Sequence, residues 1–143
     1  MYKKIYCDGS CLGNPGHGGW AFFVVEESQM HSGHELNTTN NRMELLAACK
    51  AIEYAGDCML FTDSKYLTLG ITEWLQKWKK NGWKTSTKAP VKNCDLWIRL
   101  DLLVGSHKVC WEWVKGHDPL NKIHNSVDVE ARKQATLIKD RLL

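Results

Sequence analysis

A chain of 143 residues, 43% hydrophobic and 24% charged, has the length and balance of one globular domain with a core of its own, spanning residues 1–143. No apolar run approaches the roughly 20 residues that a membrane span needs, and the first fifteen residues lack the apolar stretch of a secretory signal, so a cytoplasmic protein with no membrane attachment is expected. The net charge of +3 is modest but unevenly placed: from Trp74 to Cys94 there are six lysines and no acid, a local basic block that points to a polyanionic partner.

The residues Lys3 to Asp8 read as a strand with Ile5 and Cys7 on one face and Tyr6 and Asp8 on the other. Residues 9–19 hold five glycines and a proline and read as a turn region. A phosphate-cradling loop is disfavoured there, because no Gly-Lys-Ser/Thr closes it and a strand follows where a helix should. Trp20 to Val25 is a buried strand, Glu27-Ser28 a turn, and Gln29 to Leu36 a partner strand with polar alternation.

Next comes a polar loop feeding a helix. Met43, Leu46, Ala47, Cys49, Ile52 and Ala55 recur at helical spacing, and Thr39, Asn40 and Asn41 are candidate N-caps. Glu44 falls in the first turns, where pairing with the helix dipole alone would account for an acid. Gly56 closes this helix. Cys58 to Thr62 is a short apolar strand ending at Asp63-Ser64, and the carboxyl end of a strand is where open α/β sheets place ligands. Asp63 can also serve as an N-cap.

Tyr66 to Gly70 reads as a short helix, with Thr72 as N-cap of the next one and Glu73 in its first turn. Trp74 and Trp78 lie four apart on one face, and Trp83 follows. Tryptophans pack while lysines project, so this basic segment, about residues 74–94, suits contact with phosphates from a rigid aromatic platform. Residues 84–91 form a loop. Asn93 or Asp95 begins a helix with Leu96, Trp97, Leu100, Leu103 and Val104 on its apolar side, ending at Gly105. His107 to Val114 is a strand, and Lys115 to Pro119 a loop in which His117 has no apolar pattern around it. A final helix from Val127 carries Val127, Ala131, Ala135 and Ile138 as one stripe, with Asp128 in its first turn. Six cysteines, none in a Cys-x-x-Cys pair, read as reduced thiols, with neither disulfides nor zinc expected.

This element order implies a mixed sheet with helices on its faces. Asp8, Asp63 and the two helix starts can then meet at one edge. Four carboxylates together repel, and one or more must hold a proton unless cations sit between them. Oxygen donors at a hydrated site favour Mg²⁺ or Mn²⁺. Two such ions about 4 Å apart support in-line phosphodiester displacement, so the set, with the basic segment, points to a nuclease.

The residues also carry a family resemblance. Asp8-Gly-Ser-Cys-Leu-Gly-Asn-Pro-Gly16, Thr38-Thr-Asn-Asn-Arg-Met-Glu-Leu45, Thr62-Asp-Ser-Lys-Tyr66, Trp78-Lys-Lys-Asn-Gly-Trp-Lys84, Pro90-Val-Lys-Asn-Cys-Asp-Leu-Trp97 and Trp111-Glu-Trp-Val-Lys-Gly-His117 occur in the order seen in bacterial type 1 ribonuclease H, and the chain resembles that family over nearly its whole length. The resemblance implies an α/β ribonuclease H-like fold: a five-stranded mixed sheet, first three strands antiparallel, flanked by helices and carrying a basic helical protrusion. It implies endonucleolytic cleavage of the RNA strand of RNA–DNA hybrids, leaving 5′-phosphate and 3′-hydroxyl ends, with two Mg²⁺ ions in the presence of substrate and Mn²⁺ as a substitute.

By position, the resemblance places the metal-binding acids on Asp8, Glu44, Asp63 and Asp128. It puts a histidine for proton transfer or product release on His117. Asn14, Thr39, Asn40, Asn41 and Arg42 fall at substrate and DNA-phosphate contacts, and Trp74, Trp78, Lys79, Lys80, Trp83 and Lys84 on the protrusion that grips the DNA strand. A monomer with no obligate protein partner and no separate N-terminal hybrid-binding domain is expected. The chain departs from the pattern after His117, where the segment to Asp128 is about one residue longer and the usual asparagine four before the last acid is His124, with Asn125 adjacent. His17 also stands where the first loop often has another proline, a neutral change. The rival readings are a resolvase- or integrase-type nuclease of the same superfamily, a reverse-transcriptase fragment, and a non-catalytic hybrid-binding module, which would be expected to lack one or more of the four acids.

Overall fold

The computed structural model describes residues 2–141. Its elements are β1 (Lys3–Leu12), β2 (Gly16–Val24), β3 (Gln29–Thr38), α1 (Asn40–Ala55), β4 (Cys58–Thr62), α2 (Lys65–Leu69), α3 (Leu75–Lys80), α4 (Cys94–Ser106), β5 (Val109–Trp113) and α5 (Lys122–Arg141). The five strands form one mixed sheet in the order β3-β2-β1-β4-β5. The pairs β1–β2 and β2–β3 are antiparallel, and β1–β4 and β4–β5 are parallel. No helix of the described residues is long and apolar enough to cross a membrane.

The alternation in β1 sorts its side chains between two cores. Ile5 and Cys7 join Phe22, Val24 and Leu60 beneath α1, whose Leu45, Ala48, Cys49 and Ile52 are fully buried against them and against Leu96, Trp97 and Leu100 of α4. On the opposite face α5 sets Val127 and Ala131 against Ala21, with Tyr6, Phe23 and Met30 around them. Parallel pairing of β1 with β4 puts Tyr6 opposite Phe61. Continuing both strands by two residues reaches Asp8 and Asp63, so the two acids leave the sheet side by side.

Four local expectations are corrected. Residues 9–12 and 16–19, expected in a turn, extend β1 and β2, and the reversal is confined to Gly13–Pro15. The glycines there serve close packing: a Cβ on Gly9 would lie 2.4 Å from the backbone of Met43 and Glu44, and one on Gly19 would lie 2.1 Å from the Ala131 carbonyl oxygen. Thr72 caps nothing. The chain passes from α2 through a π turn at Gly70–Trp74 into α3, and the Thr72 hydroxyl donates to the Thr68 carbonyl at 2.9 Å. Helix α5 begins at Lys122, five residues earlier than expected, with Asn121 Oδ1 accepting from the His124 amide at 3.0 Å in the manner of a cap. Helix α4 runs to Ser106, just past the expected stop at Gly105.

Candidate active site

The edge of the sheet between β1 and β4 opens into a cleft of about 420 Å³ lined by Asp8, Asn40, Asn41, Glu44, Asp63, His117, Asp128 and Arg132, among others. The structure therefore brings all four acids together from four separate elements. Glu44 lies in the second turn of α1, which begins at Asn40 behind an N-cap at Thr39. Asp128 lies in the second turn of α5. Neither sits in the first turn, where a helix dipole acts most strongly, so dipole pairing does not account for them. Ser64, rather than Asp63, caps α2: its Oγ accepts from the Leu67 amide at 3.1 Å, which leaves Asp63 free to face the cleft.

Asp8 and Glu44 are almost fully buried, at 3% and 5% exposure. They share one donor, the Gly9 amide, at 3.0 Å to Asp8 Oδ1 and 2.5 Å to Glu44 Oε1. Asp8 Oδ2 has no hydrogen-bond partner. Burial, then the Glu44 carboxylate, pushes Asp8 up to about 12. Burial likewise pushes Glu44 up to about 7, against the opposing pull of its bonds to Asp8 and to the Gly9 amide. Asp63 moves the other way. Burial acts upward on it, but contact with His124 holds it below its ordinary value. Asp128 is fixed by Arg132 Nη2 at 2.8 Å, one turn further along α5.

This donor set fits divalent cations. Two carboxyls, Asp8 and Glu44, raised by burial and crowding, with one Asp8 oxygen left without a partner, are the arrangement that a cation relieves.

The remaining sequence-predicted residues divide. His117 is 78% exposed, on the loop between β5 and α5, with Nδ1 3.9 Å from Asp128 Oδ2. Asn40 and Asn41 line the cleft, whereas Asn14, Thr39 and Arg42 do not. Asn14 Oδ1 accepts from the Asn40 amide at 3.1 Å and so ties the β1–β2 turn to the start of α1. Arg42 makes two bonds to Asp95, at 2.9 and 2.7 Å, and a third to Asn93 Oδ1 at 3.3 Å. Trp74 and Trp78 pack edge-on and tilted against Tyr66, Trp97 and each other at centroid distances of 5.3–5.8 Å, and Trp83 is half-buried on the same cluster. Lys79 lies 3.4 Å from Asp101, while Lys80 and Lys84 are exposed.

Two residues beside the acids are not among the expected site residues: Arg132, which lines the cleft, and His124, which is buried behind Asp63 and Asp8. Arg132 follows Asp128 by four positions, and His124 precedes it by four, so all three share one face of α5. His124 is 1% exposed, with Nε2 3.2 Å from Asp63 Oδ2 and 3.9 Å from Asp8 Oδ2. The i, i+4 spacing was the available signal. For His124 the spacing stands out as a departure from the family pattern, but with the helix expected to start only at Val127 the ring is not placed on the face of Asp128.

The chain is similar to known proteins. Residues 2–136 match the RNase H family model. A Ribonuclease H of Klebsiella pneumoniae (strain 342) is 53% identical over 120 residues, 80% of this chain and 77% of that one. A Ribonuclease H of Pseudoalteromonas translucida (strain TAC 125) is 50% identical over 138 residues, 92% of this chain and 88% of that one. Among solved structures, LC9-RNase H1, a type 1 RNase H with the type 2 active-site motif, superposes with a TM-score of 0.77 at 30% identity, covering 94% of this chain and 72% of that one. The foamy viral protease-reverse transcriptase in complex with dsDNA gives a TM-score of 0.76 at 23% identity, covering 93% of each chain, a likeness of fold alone.

Proposed function

Since this chain belongs to the ribonuclease H family, whose function is cleavage of RNA–DNA hybrids, we propose that it cuts the RNA strand by metal-activated water at the cleft of Asp8, Glu44, Asp63 and Asp128, leaving 5′-phosphate and 3′-hydroxyl ends. The observation that carries this reading is the convergence of four carboxylates from β1, α1, the end of β4 and α5, with a buried Asp8 oxygen left unpartnered. These four residues would hold the divalent ions, Mg²⁺ with Mn²⁺ as a substitute. When bound, the ions lower the pKa of the attacking water and stabilise the leaving oxygen.

The chain's own groups do the rest. The Gly9 amide fixes the Asp8 and Glu44 carboxylates against each other, and Arg132 holds Asp128 in one orientation. His117, exposed and 3.9 Å from Asp128, moves a proton at the departing 3′-oxygen or helps product release. Asn40 and Asn41 offer amide groups on the cleft wall to the RNA strand, whose 2′-hydroxyls distinguish it from DNA. Asn14, Thr39 and Arg42 reach DNA phosphates beside the cleft. Lys79, Lys80 and Lys84 track the DNA backbone from a platform of Trp74, Trp78 and Trp83, reading position and not sequence. The protein acts as a cytoplasmic monomer without an obligate protein partner.

The test is cleavage of an end-labelled RNA–DNA hybrid beside RNA–RNA and DNA–DNA duplexes, with Mg²⁺ and then with EDTA. Metal-dependent cutting of the hybrid's RNA strand alone is expected. Cutting of DNA would move the activity to the resolvase or integrase type, and binding without cutting would make the chain a hybrid-binding module.

A further inference from the structure

We propose that His124 is itself a metal ligand, a nitrogen donor beside Asp63 and Asp8 that shifts the site's preference from Mg²⁺ toward transition-metal ions such as Mn²⁺ and Co²⁺. This rests on the reading of the cleft as a divalent-cation site and concerns a residue that the family resemblance marks only as a departure.

The first observation is a buried polar ring that makes no aligned hydrogen bond although two carboxylates lie beside it. His124 is 1% exposed, and neither Nδ1 nor Nε2 has a hydrogen-bond partner. A histidine buried for structural reasons ordinarily donates one ring N–H to a carbonyl or carboxylate, because leaving it unpaired in the interior is costly. The ring instead points from α5 into the carboxylates. Asn121 caps the helix three residues earlier and Asp128 follows one turn later, so the backbone fixes this direction.

The second observation is spacing. One donor atom from each of Asp8, Asp63 and His124 lies within 4.8 Å of the others. On an octahedral ion with bonds of about 2.1 Å, donors at right angles are about 3.0 Å apart and opposed donors about 4.2 Å apart. Nε2 stands 3.2 Å from Asp63 Oδ2 and 3.9 Å from Asp8 Oδ2, inside that span. The 3.2 Å approach does not have hydrogen-bond alignment, since Nε2 remains without a partner.

The chemistry follows from ligand type. Mg²⁺ is hard, prefers oxygen and gives up water reluctantly, so an imidazole adds little to its binding. Transition-metal ions gain from imidazole nitrogen, increasingly from Mn²⁺ to Co²⁺. The competing arrangement is a charged His124 paired with Asp63, in which the ring repels an incoming cation. The two arrangements predict opposite signs when the ring is removed.

The experiment uses the full chain, stripped of metal and titrated with Mn²⁺. Electron spin-echo spectroscopy of the Mn²⁺ complex reads nitrogen bound to the ion. The wild type should show nitrogen coupling that changes character when histidine is labelled with ¹⁵N. His124→Asn should lose the coupling, and its Mn²⁺ affinity should fall by at least about 10-fold, since even outer-shell partners of metal ligands are worth that much. Its Mg²⁺ affinity should change less than about 3-fold, because Mg²⁺ gains little from nitrogen. His117→Ala should keep the coupling, and its loss there would assign the nitrogen to His117 and overturn the proposal.

Mn²⁺ bound to the wild type without nitrogen coupling would remove His124 from the ligand set while leaving the metal-site reading intact. Tighter Mn²⁺ binding by His124→Asn would identify the charged-pair arrangement instead. If the wild type bound no Mn²⁺, the metal-site reading itself would fail. Because the coupling is measured on the wild type, the proposal can be refuted even if the variant does not fold.

Discussion

Removing divalent metal should make this protein less stable as the pH rises from about 4.5 to 7, a range over which many proteins gain stability. Glu44 is raised from 4.5 to about 7 in the folded state, and Asp8 is raised as well. A carboxyl that keeps its proton only when folded favours the native state fully below its unfolded pKa. That contribution is lost as the pH climbs through the folded pKa. For Glu44 alone, about 2.5 units at about 1.4 kcal/mol each give a loss on the order of 3 kcal/mol, and Asp8 adds in the same direction. Asp63, held below its ordinary value, contributes a change of opposite sign, but that change falls below about pH 4 and outside the window.

Urea denaturation in EDTA at pH 5.0 and 7.5 reads the effect directly. With a slope near 2 kcal/mol per molar urea, the midpoint should fall by about 1 M from Glu44 alone at the higher pH, and by more with Asp8. Saturating Mg²⁺ should restore it, because cations then occupy the place of the protons. Glu44→Gln, neutral at every pH, should make the EDTA profile shallower while Asp8, raised chiefly by burial, keeps its share. A midpoint in EDTA that holds steady or rises between these pH values would refute the account of crowded, proton-holding carboxylates.

Three further outcomes follow from the same geometry. Asp63→Asn should abolish hybrid cleavage while hybrid affinity, measured by fluorescence anisotropy, stays near the wild-type value; equal losses of both would show that the carboxylate serves binding. Neutralising Lys79, Lys80 and Lys84 together should reduce the log–log salt slope of hybrid binding by about 2, since Lys79 is already partly engaged by Asp101, while turnover at saturation changes little. An unaltered slope would remove the protrusion from the phosphate interface. Gly9→Ala drives a methyl into the α1 backbone at 2.4 Å and should destabilise the fold by about 1–3 kcal/mol or more, seen as a lower Tm, with a drop in cleavage because Asp8 and Glu44 are displaced together. An unchanged Tm would mean that α1 yields without strain.

The acids were legible in the sequence because each stands at a boundary between periodic segments, and such boundaries gather at the end of a sheet. The mixed sheet followed from the order of the elements, and its five strands with the first three antiparallel from the family resemblance. What escaped depends on contacts distant in sequence. The glycines of residues 9–19 carry the composition of a turn, yet several lie within strands where a helix or another strand presses close, and composition does not distinguish the two uses. The start of α5 was missed because Lys122-Ile-His-Asn-Ser has no apolar stripe and its cap, Asn121, sits in a polar run. Arg42 and Asp95 are 53 residues apart, and nothing local to either announces their two bonds. The role of Thr72 was misread because a π turn keeps the chain helical from α2 to α3 with no break to cap.

The distribution of the four acids along the chain has a consequence for its synthesis. Asp8, Glu44 and Asp63 leave the ribosome within the first half, but Asp128 and His124 arrive only on α5, the element that also covers the second face of β1 and β2. A nascent chain lacking that helix can pair its strands yet carries an open, unfinished carboxylate set and an uncovered apolar sheet face. With the four acids as the proposed metal ligands, cutting ability is expected only once α5 has been made. A chain interrupted before α5 should yield a product with no nuclease activity and a tendency to aggregate, not a weaker enzyme.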